Sequence, residues 1–254
     1  EQQERFVELN HHYFGSLLSP SSIEAITSRI MSHQMSDEED NGNDNNDEDD
    51  PNVLCPEYQS LVDKCSILSQ VMNMYKSAFL TNGQDESPVD DILTNFVIHH
   101  NYRIYALLVP PSPPSPSQQD REQRDGEQQE QEKVSAFAIV SMLNENEMFC
   151  HLDYISVHES CRGNGTGSRF MKQFLIPHLT HQRHVTLECE TRLVGWYSKL
   201  GAKKLPILDS IFAGRRFVFM YFESMNANHQ IRMMMMMMVG GGTDGGDSDH
   251  HEPN

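Results

Sequence analysis

None of the five cysteines in this 254-residue chain stands in a CxxC pair. Cys55, Cys65, Cys150, Cys161 and Cys189 share no paired spacing, which leaves them as buried or incidental thiols. That usage fits a reducing, cytoplasmic compartment, the nucleus included, and no metal is expected. Long apolar runs are also missing. A membrane-spanning helix needs about 20 consecutive apolar residues; the six methionines 233–238 fall far short and abut the low-complexity stretch "GGGTDGGDSDHH". No membrane partner is expected. Basic charge is scarce, with 19 Lys and Arg against 37 Asp and Glu and a net charge of -18. A nucleic-acid-binding surface therefore has no support.

The acidic excess is local. Residues 36–50 ("SDEEDNGNDNNDEDD") carry nine acids and no base, 118–133 carry six acids against three bases, and 239–254 carry four acids and no base. Together they account for all but about two units of the net negative charge, so the remainder is a nearly neutral sequence long enough for one core. The composition divides the chain into an N-terminal segment 1–35, an acidic disordered linker 36–55, a folded domain 56–224 and a low-complexity tail 225–254. The Pro/Ser run "PPSPPSPS" and the Gln/Glu-rich stretch after it make 110–133 a disordered insertion within that domain. The chain does not open on Met, which is compatible with a targeting segment removed upstream.

Hydrophobic periodicity supplies the elements. A short strand is predicted at Arg5–Leu9, and "SPSSIEAITSRIMS" predicts a helix with Ile23, Ile26 and Ile30 on one face. From Pro56, the residues Leu61, Cys65, Leu68, Val71, Met72 and Tyr75 describe one helical face. A further helix is predicted with Ser87 as cap and Pro88 at its first position. The period then shortens to two. "YRIYALLV", "VSAFAIVSML" and "MFCHLDYISV" read as three strands of an antiparallel meander, the last two bracketing "NENE". Next come a glycine loop, a helix from about 165 to 179, the strand "HVTLECE", the helix "TRLVGWYSKLG" and the strand "RRFVFMYFE". Strand, loop, helix, strand is a parallel crossover. The expected class is α/β, a mixed, mostly antiparallel sheet flanked by helices.

The loop "CRGNGTGSRF" is the most informative segment. A strand ending in glycines that enter a helix aims free N–H groups and a positive helix end at one spot, which suits phosphate or pyrophosphate. A P-loop would need Lys and Ser/Thr where Ser168 and Arg169 stand. A dinucleotide fingerprint would need GxGxxG after the first strand of a βαβ unit, but Gly163, Gly165 and Gly167 give GxGxG after antiparallel strands. A helix entry that merely needs small residues is the remaining plain alternative.

"RGNGTG" is an R/Q-x-x-G-x-G sequence and resembles the pyrophosphate-binding signature of the GNAT superfamily of N-acetyltransferases. The likeness continues on both sides. "LDYISVHESCRGNGTGSRFM" is similar to that family's fourth strand, loop and third helix, and "VTLECE…WYSKLGAKK" to its fifth strand and following helix. "MYKSAF…NYRIYALL" is similar to its early helices and second strand, so the match runs over about 57–223. The resemblance implies acetyl-CoA as co-substrate and a sheet splayed at a central parallel strand pair. Ile155, Ser156 and Val157 would bond the pantetheine arm through their backbone. Arg162, Gly163, Asn164, Gly165, Thr166, Gly167 and Ser168 would hold the diphosphate. The reaction implied is acetyl transfer to a primary amine by direct attack.

Such a transfer needs a neutral amine and a proton for the departing thiolate. Tyr197 falls on the family's tyrosine that can protonate the thiolate. For the base, Asp153, Glu188 and Glu190 are all candidates; the two glutamates share a strand face opposite Leu187 and Cys189. His151 and His158 show no partner in the sequence. Compared with the family pattern, the stretch from Cys189 to Tyr197 is short, Glu190 stands where an Asn is frequent, and Ala202 replaces an aromatic. These departures lie on the acceptor side, where a small-molecule amine and a protein amine both fit. A catalytically silent acyl-CoA-binding or scaffold domain is the alternative from another class.

Overall fold

The computed structural model describes residues 4–36, 55–80, 87–110, 132–142, 148–181, 183–205, 210–212 and 215–226. The expected disordered linker, most of the Pro/Gln/Glu insertion, the "NENE" turn and the methionine tail lie outside the described residues. Within them, an eight-stranded mixed sheet is covered by helices on both faces.

The chain enters through strand β1 (Arg5–Leu9), helix α1 (His11–Leu17) and helix α2 (Pro20–Ser36). Asn10 starts α1 by accepting the N–H groups of His12 and Tyr13 on its side chain. In α2, Ile26 is buried, but Ile23, expected on the same face, is exposed. Helix α3 (Pro56–Lys64) and helix α4 (Ser66–Tyr75) then follow, with α4 widening into a π-helical turn Lys76–Leu80. The single helical face expected here is broken at Cys65, whose backbone is extended (φ -129°, ψ 101°). No residue in "VDKCSIL" signals that break. Leu61, Leu68, Val71, Met72 and Tyr75 are nevertheless all buried on one core. Helix α5 (Val89–Val97) starts one residue later than expected, with Pro88 as the cap and Ser87 accepting the Tyr75 hydroxyl through its carbonyl.

Strands β2 (Tyr102–Val109), β3 (Lys133–Ser141) and β4 (Phe149–Val157) form the expected antiparallel meander, and β1 adds antiparallel to β2 at its edge. Helix α6 follows as Thr166–Arg169, a π-helical stretch Phe170–Leu175 and Ile176–Thr180. Strand β5 (His184–Glu190) leads through a 3₁₀ turn, Thr191–Leu193, into helix α7 (Val194–Lys199). Strands β6 (Lys203–Lys204), β7 (Ser210–Phe212) and β8 (Arg215–Phe222) are the last elements among the described residues. The sheet order is β1-β2-β3-β4-β5-β8-β6, with β7 also on β8.

Alternation along the strands sorts their side chains onto two cores. Ile104, Ala106, Leu108, Phe137 and Ile139 face α3 to α5. Tyr105, Leu107, Ala138, Val140, Leu152, Leu187 and Cys189 face Phe170, Met171, Leu175 and Tyr197. Phe6 ties the N-terminal strand to the second core. Its ring stacks at 5.7 Å on both Tyr105 and Phe174 and meets Phe170 and His178. Glu4 adds a two-pronged contact to the Arg169 guanidinium on α6. The N-terminal strand is thus integral to the sheet.

Candidate active site

The central parallel pair is short. β4 and β5 are in register only from Phe149 opposite His184 to Leu152 opposite Leu187. Beyond that point β4 stays on β3 through Val157, and β5 stays on β8 through Glu190. The two strands therefore part, and the facing edges of 153–157 and 188–190 lose their ladder. The His158 N–H donates to the Ser135 carbonyl on β3. By alternation, the N–H and C=O groups of Ile155 and Val157 point the other way, into the gap. Those of Ser156 turn back to β3. Of the three residues expected to offer backbone groups to a pantetheine arm, two turn them to the open side, where the Val157 carbonyl is taken by Arg162.

At the end of β4 a 3₁₀ turn, Glu159–Cys161, capped by His158 leads into the glycine loop. Among the described residues, the N–H groups of Gly163, Asn164, Gly165, Thr166, Gly167 and Ser168 donate to no protein atom; the first bond of α6 runs from Arg169 to the Gly165 carbonyl. These six donors at a helix entry make a nest for an anion. The glycines have different reasons. Gly163 (φ 80°) and Gly165 (φ 74°) lie in the left-handed region, and a Cβ at either would meet nothing within 4 Å. Backbone conformation, not crowding, selects glycine there. Gly167 has no such φ, but its Cβ would stand 3.1 Å from a Val157 methyl and 3.7 Å from the Trp196 ring. It lets α6 approach the end of β4.

Arg162 donates from Nε to the Val157 carbonyl at 3.0 Å. This bond holds the loop against the strand and leaves the exposed end of the guanidinium beside the nest. Ser168, expected to bind phosphate, accepts the Trp196 indole N–H at 2.9 Å and so locks α6 to α7. A cleft of about 420 Å³ opens beside the loop, lined by Gln70, Asn73, Ser77, Lys133, His158 and Arg162 among others. That volume lies in the range of small-molecule sites. Gln70 shapes its wall by accepting the Val134 N–H and donating to the Glu132 carbonyl.

The four expected catalytic side chains are not brought together in one cluster. Tyr197 is buried in the second core, and burial raises its phenol well above the ordinary value, with Cys189 adding to the effect. The hydroxyl has no protein partner among the described residues. Since no buried polar side-chain atom there lacks a partner, the oxygen reaches open space. The phenol thus remains protonated, as a proton donor requires, although it is a weaker acid than an exposed tyrosine. Asp153 lies on the other side of the sheet, next to Tyr102, whose ring packs on the first core. It is the extra residue of a β-bulge, since Ile139 pairs with Tyr154 and Val140 with Leu152. Its Oδ2 accepts the Ser141 N–H at 2.8 Å, and burial raises its carboxyl above the ordinary range, partly offset by His151.

Glu188 is exposed on the face opposite Leu187 and Cys189, as expected from alternation, and so also lies opposite Tyr197. Glu190 is held by Arg192, with Nε to Oε2 at 2.6 Å. Cys189 is no nucleophile. Its thiol is pushed up to about 11 by burial and points at the Met220 sulfur. His151, for which the sequence showed no partner, shares a 2.9 Å hydrogen bond with Thr186 next to the point where β4 and β5 part. The signal for it lay only in the strand register.

A Dictyostelium discoideum protein of uncharacterised function is 36% identical over 62 residues, 23% of this chain; the match spans only 14% of that protein's length. An acyl-CoA N-acyltransferase structure from Pseudomonas aeruginosa is 13% identical, covering 61% of this chain and 89% of its own, with a TM-score of 0.43. The structure of Arabidopsis thaliana NAA60 in complex with acetyl-CoA is 11% identical, covering 61% and 93%, with a TM-score of 0.42. Residues 98–202, from the end of α5 through the splayed pair, the nest and α7, match the Acetyltransferase (GNAT) family.

Proposed function

We propose that the protein moves an acetyl group from acetyl-CoA to a primary amine by direct attack in the gap between β4 and β5. The observation that carries this reading is the run of six unpartnered N–H groups from Gly163 to Ser168 at the mouth of a splayed parallel pair. Six donors and the Arg162 guanidinium fit a diphosphate, and the open-side groups of Ile155, with the Val157 N–H, fit an extended amide arm laid along the strand. The residues present thus fit coenzyme A. When bound, acetyl-CoA supplies the activated acyl group.

The chain's own residues divide the proton work by face. Asp153, kept more basic than an ordinary carboxylate by its burial, removes the ammonium proton on the side of the first core. Glu188, exposed on that same face, offers charge to attract a cationic amine. Tyr197 gives its proton to the departing thiolate from the side of the second core. The acceptor is a small-molecule amine or a protein amine.

Thermal melting with ligands tests the loop assignment directly. Acetyl-CoA and dephospho-coenzyme A, both of which carry the diphosphate, should raise the melting temperature, while pantetheine should shift it little. Equal shifts with pantetheine and acetyl-CoA would remove the nest from the account. Stabilisation without turnover over a broad amine panel would favour an acyl-CoA-binding scaffold.

A further inference from the structure

At the end of the sheet where β2 begins, away from the nest, three imidazoles meet. His11 and His12 open α1, directly after β1, and His100 precedes β2, after α5. The ring centroids are 4.1 Å apart for His11 and His12, 4.4 Å for His11 and His100, and 5.2 Å for His12 and His100. One ligand nitrogen from each lies within 4.8 Å of the other two. Among the described residues, none of the three rings makes a hydrogen bond or ion pair. Three basic rings packed together without a carboxylate between them have no protein group to satisfy their lone pairs.

The backbone makes the meeting possible. His100 has φ 56° and is the one non-glycine residue with positive φ among those described. A left-handed conformation is uncommon and unfavourable at a non-glycine residue. Here it turns the chain between α5 and β2 so that the ring lies on His11. β1 and β2 bring the two segments together, with Leu9 paired to Ile104.

We propose that His11, His12 and His100 form a binding site for one divalent zinc-class ion, outside the acyl-transfer site. Zinc takes neutral imidazole nitrogens at about 2.0–2.1 Å in tetrahedral geometry, with water in a fourth position. That geometry sets ligand nitrogens about 3.4 Å apart, so the present cluster closes on an ion by small side-chain rotations. His12 and His100 are exposed, which gives the ion entry and leaves the fourth position to water, while buried His11 anchors the base. The carbonyl end of α5 favours a cation and the N-terminus of α1 opposes it. Near the cluster, the ion pair of Glu8 and Arg103 is close to charge-neutral. Hard oxygen-seeking ions are excluded by the donor set, whereas cobalt and nickel are accepted. The bound ion clips the β1–α1 corner to the α5–β2 corner and takes no part in acetyl transfer.

The test uses the full chain stripped with chelator and titrated with Co²⁺, whose visible bands report geometry and ligand type. One equivalent should bind with tetrahedral bands and no thiolate charge-transfer band, and Zn²⁺ should displace it. His12→Ala and His100→Asn, the latter tolerant of left-handed backbone, should each weaken binding by more than the ~10–100-fold that loss of an outer-shell partner costs. His99→Ala, beside the cluster but outside it, should bind as the wild type does. Unchanged stoichiometry and affinity in a folded His12→Ala/His100→Asn double variant would overturn the proposal. So would a thiolate charge-transfer band, which would place the ion on cysteine, or the absence of any bound equivalent.

Discussion

Replacing Gly165 with alanine isolates the backbone requirement of the nest. At φ 74° and ψ 6° the residue is left-handed, and a Cβ there would have nothing within 4 Å. Crowding therefore contributes nothing, and the penalty is the left-handed strain alone, about 1–2 kcal/mol for an ordinary residue. Asparagine tolerates that conformation, so Gly165→Asn should recover most of the loss. Gly167→Ala is the complementary case, because its Cβ would stand 3.1 Å from a Val157 methyl. Overpacking of this kind costs roughly 1–3 kcal/mol, and it pushes α6 away from β4. Urea unfolding of the three variants separates the mechanisms. Acetyl-CoA titration adds a second reading. If the empty loop of Gly165→Ala relaxes out of its left-handed form, binding must restore it, and affinity falls by about 5–30-fold. Equal destabilisation of Gly165→Asn and Gly165→Ala would refute the conformational argument.

Two further substitutions divide the proton chemistry. Asp153→Asn keeps an acceptor for the Ser141 N–H but removes a carboxylate that burial disfavours when ionised. The folded-state pKa is raised, so the wild type loses stability as pH rises from the ordinary carboxylate value through the shifted one. The Asn variant should therefore be the more stable protein at pH 8, the difference closing in acid unfolding, while acetyl transfer is lost. A variant both less stable at pH 8 and fully active would remove Asp153 as a strained base. Tyr197→Phe should bind acetyl-CoA normally and lower kcat by roughly 10²–10⁴-fold, the contribution of a general acid. Unchanged kcat in the folded variant would leave water as the donor.

The strands of the meander and β5 were legible because each is a short apolar run bounded by polar or glycine-rich sequence. The glycine loop was legible because three glycines before an apolar helix have few other uses. Details set by pairing were not. The bulge that leaves Asp153 unpaired arises from the register of β3 on β4, and nothing in "HLDYIS" announces it. Ser168 looked like a phosphate ligand, yet it accepts the Trp196 indole from a helix that only tertiary packing brings near. Helix α1 is too short for a periodic signal, and β6 and β7 are too short for alternation. His11, His12 and His100 read as unrelated HH pairs until β1 pairs with β2. Strand alternation identified the Glu188 and Glu190 face, but the Arg192 contact that separates their roles is a matter of side-chain geometry.

Acetyl transfer itself is the property to measure. Purified protein is mixed with acetyl-CoA and a panel spanning polyamines, amino-acid derivatives and peptide amines, with free coenzyme A thiol and product mass measured together. Thiol release should depend on the amine and be matched by one acetyl group on an amine nitrogen, abolished by Asp153→Asn and strongly slowed by Tyr197→Phe. Acetyl appearing on a cysteine of the protein before the amine is added, or thiol release that no amine accelerates, would contradict direct transfer to an amine.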